Sequence, residues 1–215
     1  MLIKNWMRKH PITISSDMLA SEAIKVFSEH DLRFMPVVDK EQLRGILTRR
    51  DLREAASCVT ATQNIHEINF FNKRLRVRDL MIRKPITLNL DDTVEKALTK
   101  GKKLGRSFFP IMDGEKLVGT ISDMNIYNSF YQILGVDENL SGVSVEIEEP
   151  HGPAMRRIIE EVFLAGIDIH RVFTLKDPET GRKRLLIRFA SKDLKKAISV
   201  IEEGGSEILE AVGIE

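Results

Sequence analysis

The chain has 215 residues, 42% of them hydrophobic and 30% charged, a balance that can build a core and argues against wholesale disorder. Its 33 basic and 32 acidic residues leave a net charge of +1, so no global field draws in nucleic acid or an anionic membrane. The single cysteine, Cys58, excludes an intramolecular disulfide and any multi-cysteine metal site. No apolar run approaches the ~20 residues of a spanning helix, and the first residues lack a secretory pattern. Together these features point to a cytoplasmic protein without a membrane segment.

The chain opens on a duplication. Met7, Pro11, Ile12 and Thr13 return 74 residues later as Met81, Pro85, Ile86 and Thr87. The same offset matches Asp17 with Asp91, Ala23 with Ala97, Phe34 and Pro36 with Phe108 and Pro110, and Gly45 with Gly119. Each copy reads alike. The residue before proline is driven out of the helical region, so the Pro-Ile-Thr segment is expected to be extended. A helix follows over about 17–30, with Leu19, Ala23, Val26 and Phe27 on one face and Asp17 as N-cap. Two short strands come next, Phe34 to Val38 and Leu43 to Leu47, and then a helix capped by Thr48 to Asp51. Asp113 and Gly114 mark the hairpin of the second copy. A unit of about 50 residues buries little core alone, so the copies are expected to pack together.

Beyond Ser141 the pattern changes. Strand, helix, strand, strand, helix and strand follow in turn. The first helix carries Met155, Ile158, Ile159, Val162 and Phe163 at helical spacing, and the second carries Leu194, Ala197, Ile198 and Ile201. This β-α-β-β-α-β order is the ferredoxin-like arrangement. The expected fold class is therefore mixed α/β (α+β). Its expected parts are a first repeat over 1–56, a linker over 57–77, a second repeat over 78–135 and a C-terminal domain over 136–215.

The segment from Gly45 through Thr48 to Asp51 is echoed by Gly119, Ser122 and Asn125. A hydroxyl followed three residues later by an acid or amide at a helix start has two readings. It can be a capping box. It can also offer free N–H groups and a carboxylate to a sugar and its phosphate.

The duplicated Met-x-x-x-Pro-Ile-Thr opening, the Phe-x-Pro strand and the Gly-h-h-(Ser/Thr)-x-x-(Asp/Asn) close, where h is apolar, resemble a tandem pair of cystathionine-β-synthase (CBS) domains over about residues 1–135. The resemblance implies one pseudo-symmetric module with two clefts for an adenosine-containing ligand such as AMP, ADP, ATP or S-adenosylmethionine. In one cleft Asp51 would bind ribose hydroxyls, Thr48 would lie near ribose or phosphate, and Ile46, Ile86, Thr87 and Pro110 would enclose adenine. Arg33 would reach phosphate. The other cleft would use Asn125, Ser122 and Thr120 with Ile12, Thr13 and Pro36, and with Arg106 or Ser107 nearby. An amide offers one acceptor oxygen and no charge, so the Asp51 cleft is expected to bind ribose more tightly and the Asn125 cleft to be weak or empty.

The C-terminal segment resembles an ACT domain through its element order and through Pro150 and Gly152 at the first turn. That implies amino-acid binding and self-association as a homodimer. A CBS pair followed by an ACT domain resembles the acetoin-utilization accessory proteins. The function expected is non-enzymatic ligand sensing that controls a protein partner. An interaction scaffold with vestigial clefts stands beside it. The dispersed histidines suggest no metal site, and the basic stretch over 73–84 reads as a solvated linker rather than a nucleic-acid surface.

Overall fold

The computed structural model describes residues 1–62, 73–149 and 152–213. Part of the expected linker, with His66, Phe70 and Phe71, lies outside them, as do Pro150 and His151 and the side chain of Cys58. The chain divides into two units, 1–127 and 128–215. The division falls inside a helix rather than at the expected boundary between residues 135 and 136.

In the first unit, one copy contributes β1 (Arg8–Lys9), α1 (Ala20–Glu29), β2 (Phe34–Asp39), β3 (Gln42–Thr48) and α2 (Arg49–Thr62). The other contributes α3 (Val77–Leu80), β4 (Ile82–Arg83), β5 (Leu88–Asn89), α4 (Val94–Leu104), β6 (Phe108–Asp113), β7 (Lys116–Ser122) and α5 (Asp123–Ile133). Helix α2 therefore runs past residue 56 into the expected linker. The sheet order is β2-β3-β7-β6-β5, and the opening strands cross over: β1 pairs with β7, and β4 with β3.

The crossing strands explain two glycines. Gly45 and Gly119 lie within β3 and β7. A Cβ on Gly45 would sit 2.7 Å from the Ile82 carbonyl oxygen and 2.8 Å from Met81 Sδ; one on Gly119 would sit 2.6 Å from Met7 Sδ and 3.0 Å from the Arg8 carbonyl oxygen. Only a residue without a side chain allows the opening strand of the other copy this close.

The exchange extends into the cores. Ala20, Ala23, Phe27, Met35, Val37 and Leu47 are buried in the first copy together with Val77. Leu88, Val94, Ala97, Phe109, Ile111 and Ile121 are buried in the second together with Ile3. Ile3 and Val77 occupy equivalent places, and each fills the core of the other copy. The backbone repeats the arrangement. Ile3 N donates to the Asp92 oxygen and Val77 N to the Met18 oxygen, both at 2.9 Å; Val94 N donates to Met1 O at 2.8 Å and Ala20 N to Leu75 O at 2.9 Å. Full burial of an aliphatic side chain contributes about 1.5–3 kcal/mol, so this exchange is a major bond between the copies.

Asp17 is not the N-cap of α1, which starts three residues later. Its carboxylate pairs with Arg78, and its carbonyl accepts from Arg76. Glu22 instead satisfies the Leu19 N–H at 3.1 Å. The second copy does use a side-chain cap, with Thr93 Oγ1 accepting from Lys96 N at 3.2 Å.

The second unit has β8 (Leu140–Ile147), α6 (Pro153–Leu164), β9 (Ile169–Lys176), β10 (Lys183–Ala190), α7 (Leu194–Glu203) and β11 (Ile208–Val212). The antiparallel sheet order β11-β8-β10-β9 gives the β-α-β-β-α-β arrangement its interlaced form. Val143, Val145 and Ile147 of β8 meet Ile158 and Val162 of α6 and Ala197 and Ile201 of α7 in one core. Phe163, counted on that apolar face by its spacing, is 70% exposed. It lies one residue past Val162, about a quarter-turn away from the buried stripe.

Candidate functional site

The two copies place equivalent residues around two clefts in the first unit. Phe34 and Phe108 stack with ring centroids 4.2 Å apart and planes at 11°. Such a pair is worth about 0.5–1.5 kcal/mol beyond its buried area. Both rings line the larger cleft, and Phe108 also lines the smaller.

The larger cleft encloses about 300 Å³. Pro11 and Ile12 from the opening of the first copy meet Thr120, Ser122 and Asn125 from the close of the second, with Arg33, Pro36 and Ser107 around them. The smaller encloses about 150 Å³ between Ile46, Ile82, Lys84, Pro85, Ile86 and Arg106. Arg33 therefore lies in the Asn125 cleft rather than with Asp51, and Arg106 lies in the other. Thr48, Asp51, Thr87, Pro110 and Thr13 line neither cleft. Pro110 is buried in the sheet, Thr13 is exposed, and the Thr87 carbonyl accepts from Lys100 Nζ at 2.9 Å.

The Asn125 side, expected to bind ribose less tightly, holds the larger of the two clefts. Arg106 and Phe109 line the smaller cleft; at the equivalent positions the other copy has Leu32, which lines the larger cleft, and Met35, which is buried in the core.

At the helix starts both copies form capping boxes. Asp51 Oδ2 accepts from Thr48 N at 3.0 Å and from Thr48 Oγ1 at 2.6 Å, and Thr48 Oγ1 accepts from Asp51 N at 3.1 Å. Asn125 Oδ1 accepts from Ser122 N and Oγ, both at 2.9 Å. These bonds satisfy the first turns of α2 and α5. They also hold one oxygen of each side chain, so the Asp51 carboxylate keeps Oδ1 for any further partner.

The backbone at the cleft mouths is strained in both copies. His10 and Lys84, each immediately before a proline, have φ of 50° and 49°. Both residues avoid the right-handed helical region, as expected before proline, but they do so in the left-handed region. A left-handed non-glycine residue costs roughly 1–2 kcal/mol, and strain of this kind gathers at functional positions.

Three charged residues of the larger cleft escape a reading based on motif identity: Arg8, Asp31 and Asp123. Asp123 Oδ2 lies 3.5 Å from Arg33 Nη1. Asp31 has φ of 45° and accepts from Arg49 Nη2 at 3.1 Å. Its equivalent is Gly105, with φ of 59° at the end of α4. The available signal was a carboxylate standing in one copy where the other has the glycine that the backbone prefers.

A pair of interlocked repeats with aromatic-flanked clefts between them defines the class as a tandem-repeat module. The CBS domain model matches residues 3–57 and 77–131, and the chain belongs to that family. CBS pairs are regulatory ligand-binding modules. The CBS domain pair of protein MJ0100, crystallised with 5′-methylthioadenosine and S-adenosyl-L-methionine, is 26% identical with a TM-score of 0.52, covering 61% of this chain and 97% of that one. A crystal structure described as an acetoin utilization protein, AcuB, from Vibrio cholerae shares the fold at 20% identity and a TM-score of 0.54, covering 64% of this chain and 96% of that one. The L-aspartate semialdehyde sulfurtransferase of Methanocaldococcus jannaschii is 28% identical over 131 residues, which is 60% of this chain but 23% of that protein. Among the described residues no helix is long and apolar enough to cross a membrane.

Proposed function

We propose that this protein is a non-enzymatic sensor that takes an adenosine-containing ligand between its repeats and passes the binding energy to a protein partner. The observation that carries this reading is the larger cleft, where Ile12 and Asn125, more than a hundred residues apart in sequence, line one cavity of about 300 Å³. The MJ0100 pair, which binds two adenosine compounds, supports the same ligand class. In this reading Ile12, Pro11 and Pro36 hold the purine, Asn125 and Ser122 take ribose hydroxyls, and Thr120 lies beside them. The smaller cleft uses Ile46 and Ile86 in the same way, with Asp51 and Thr48 turning to the ribose as a ligand enters.

A ligand shifts such a module only through its different affinity for two arrangements of the repeats. The exchanged Ile3 and Val77 are the contacts through which such a shift is felt in both cores. The C-terminal unit is read as an ACT-like domain, an amino-acid sensor or a dimer-forming element. The engaged capping boxes favour one other reading, an interaction scaffold with vestigial clefts.

Calorimetry of the full chain with methylthioadenosine, S-adenosylmethionine, AMP, ADP and ATP decides between them. At least one binds if the chain is a sensor, and Asn125→Ala weakens that binding about tenfold, the worth of roughly one hydrogen bond. Asp51→Ala reads the smaller cleft in the same way. No heat from any of the five, with a partner captured equally well in their presence and absence, selects the scaffold.

A further inference from the structure

The two clefts carry different charge, and the difference lies where the copies diverge. The larger is lined by two cations, Arg8 and Arg33, and two carboxylates, Asp31 and Asp123. The smaller is lined by Lys84 and Arg106 with no carboxylate. Position 123 is equivalent to position 49, which carries Arg49, so the two copies place opposite charges there. The Arg49 guanidinium is turned aside, donating to Phe27 O at 3.0 Å and to Asp31 at 3.1 Å.

A phosphate brings a charge of about −1.5 to −2 and needs unpaired cations. In the larger cleft it would meet Arg8, but also Asp123 beside Arg33, a guanidinium already drawn to that carboxylate. It would also meet Asp31, which stands in a left-handed conformation that the other copy gives to Gly105. Neither carboxylate is required by the fold at its position, because the equivalent positions hold an arginine and a glycine. An uncharged tail meets no such repulsion, and a cationic one is drawn to Asp123 and Asp31 against the opposing charge of Arg8 and Arg33.

We infer that the larger cleft selects an adenosine without a 5′-phosphate, such as a thioether or sulfonium derivative, and that Asp123 and Asp31 set this preference. The inference rests on the reading of the cleft as an adenosine site.

The test is displacement of labelled methylthioadenosine from the full chain by unlabelled methylthioadenosine or by AMP. AMP competes about threefold to tenfold less well, as expected for like charges at exposed and half-exposed positions. In Asp123→Asn, which keeps the side-chain shape and lines only the larger cleft, the gap shrinks by about that factor. Asp31→Gly, which the backbone of the other copy accommodates, moves it in the same direction. Equal competition in the unaltered chain, or a gap unchanged in both variants, overturns the selectivity while leaving an adenosine sensor standing. Binding of AMP but not of methylthioadenosine also overturns it. If no adenosine compound binds at all, the proposed function falls and the selectivity with it.

Discussion

The two repeats share a backbone but not a surface. Their hairpins, parallel bridges and exchanged hydrogen bonds superpose in register at an offset of 74 residues, with Ile14 bridging Val37 as Leu88 bridges Ile111. The residues that line the clefts do not follow suit: Asp123 stands opposite Arg49, Asp31 opposite Gly105 and Arg33 opposite Ser107. The difference shows that duplication preserves what packs, while each cleft diverges in what it meets.

The sharpest way to break the comparison is to hollow one core from the other copy. Ile3→Ala is expected to cost about 2–5 kcal/mol, because it leaves a cavity in the second core. Val77→Ala is expected to cost roughly 0.8 kcal/mol less, since one methylene fewer is lost. Urea unfolding followed by circular dichroism measures both. If Ile3→Ala behaves as a surface change, the exchange does not hold the copies together.

A smaller effect separates the two crossing glycines. Gly45→Ala is expected to cost about 1–3 kcal/mol through overpacking. Gly119→Ala is expected to cost less, because its nearest obstacle is the flexible Met7 side chain and not a backbone carbonyl. The same unfolding experiment ranks them, and the reverse order breaks the pairing of the opening strands.

The smallest effect is a pH difference between the hairpins. Hydrogen bonding from Ser16, the largest influence, together with Ser15 and nearby Arg44, holds the Asp39 carboxyl below its ordinary 3.8 against the opposing pull of burial. Ser15 Oγ donates to it at 2.9 Å and Ser16 N at 3.0 Å. The second copy has Asn89 and Leu90 in place of these serines. A carboxyl whose pKa is lower in the folded state contributes its stability above the unfolded value and loses it as pH falls through the folded one. Melting temperatures of the unaltered chain and Asp39→Asn should therefore differ most above pH 3.8 and converge below it.

What the sequence made legible was local or repeated. Pro11 to Thr13 and Pro85 to Thr87 revealed the duplication, and alternation and helical spacing placed most elements of both units. The exchange of Ile3 and Val77 stayed hidden because each residue fills a core built from segments far along the chain. The left-handed His10 and Lys84 were missed because local sterics argue for extension before proline, and the surrounding structure overrides that preference. The charges of the larger cleft escaped because repeat matching rewards identity, and Asp31 and Asp123 lie at positions where the copies differ. Cleft size was beyond reach for a related reason: it depends on how Arg106 and Phe109 pack, which no motif encodes.

The exchanged arms also constrain the birth of the molecule. As the chain leaves the ribosome, Ile3 must wait for a socket that is not complete until about residue 121 has been made. The first copy can complete its core once Val77 has been made, whereas Ile3 stays uncovered until the second core is built. The front half should therefore acquire its final structure in two stages, and a nascent chain stalled before the second hairpin should be open to proteases around Ile3 and beyond Val77 while its first core is protected.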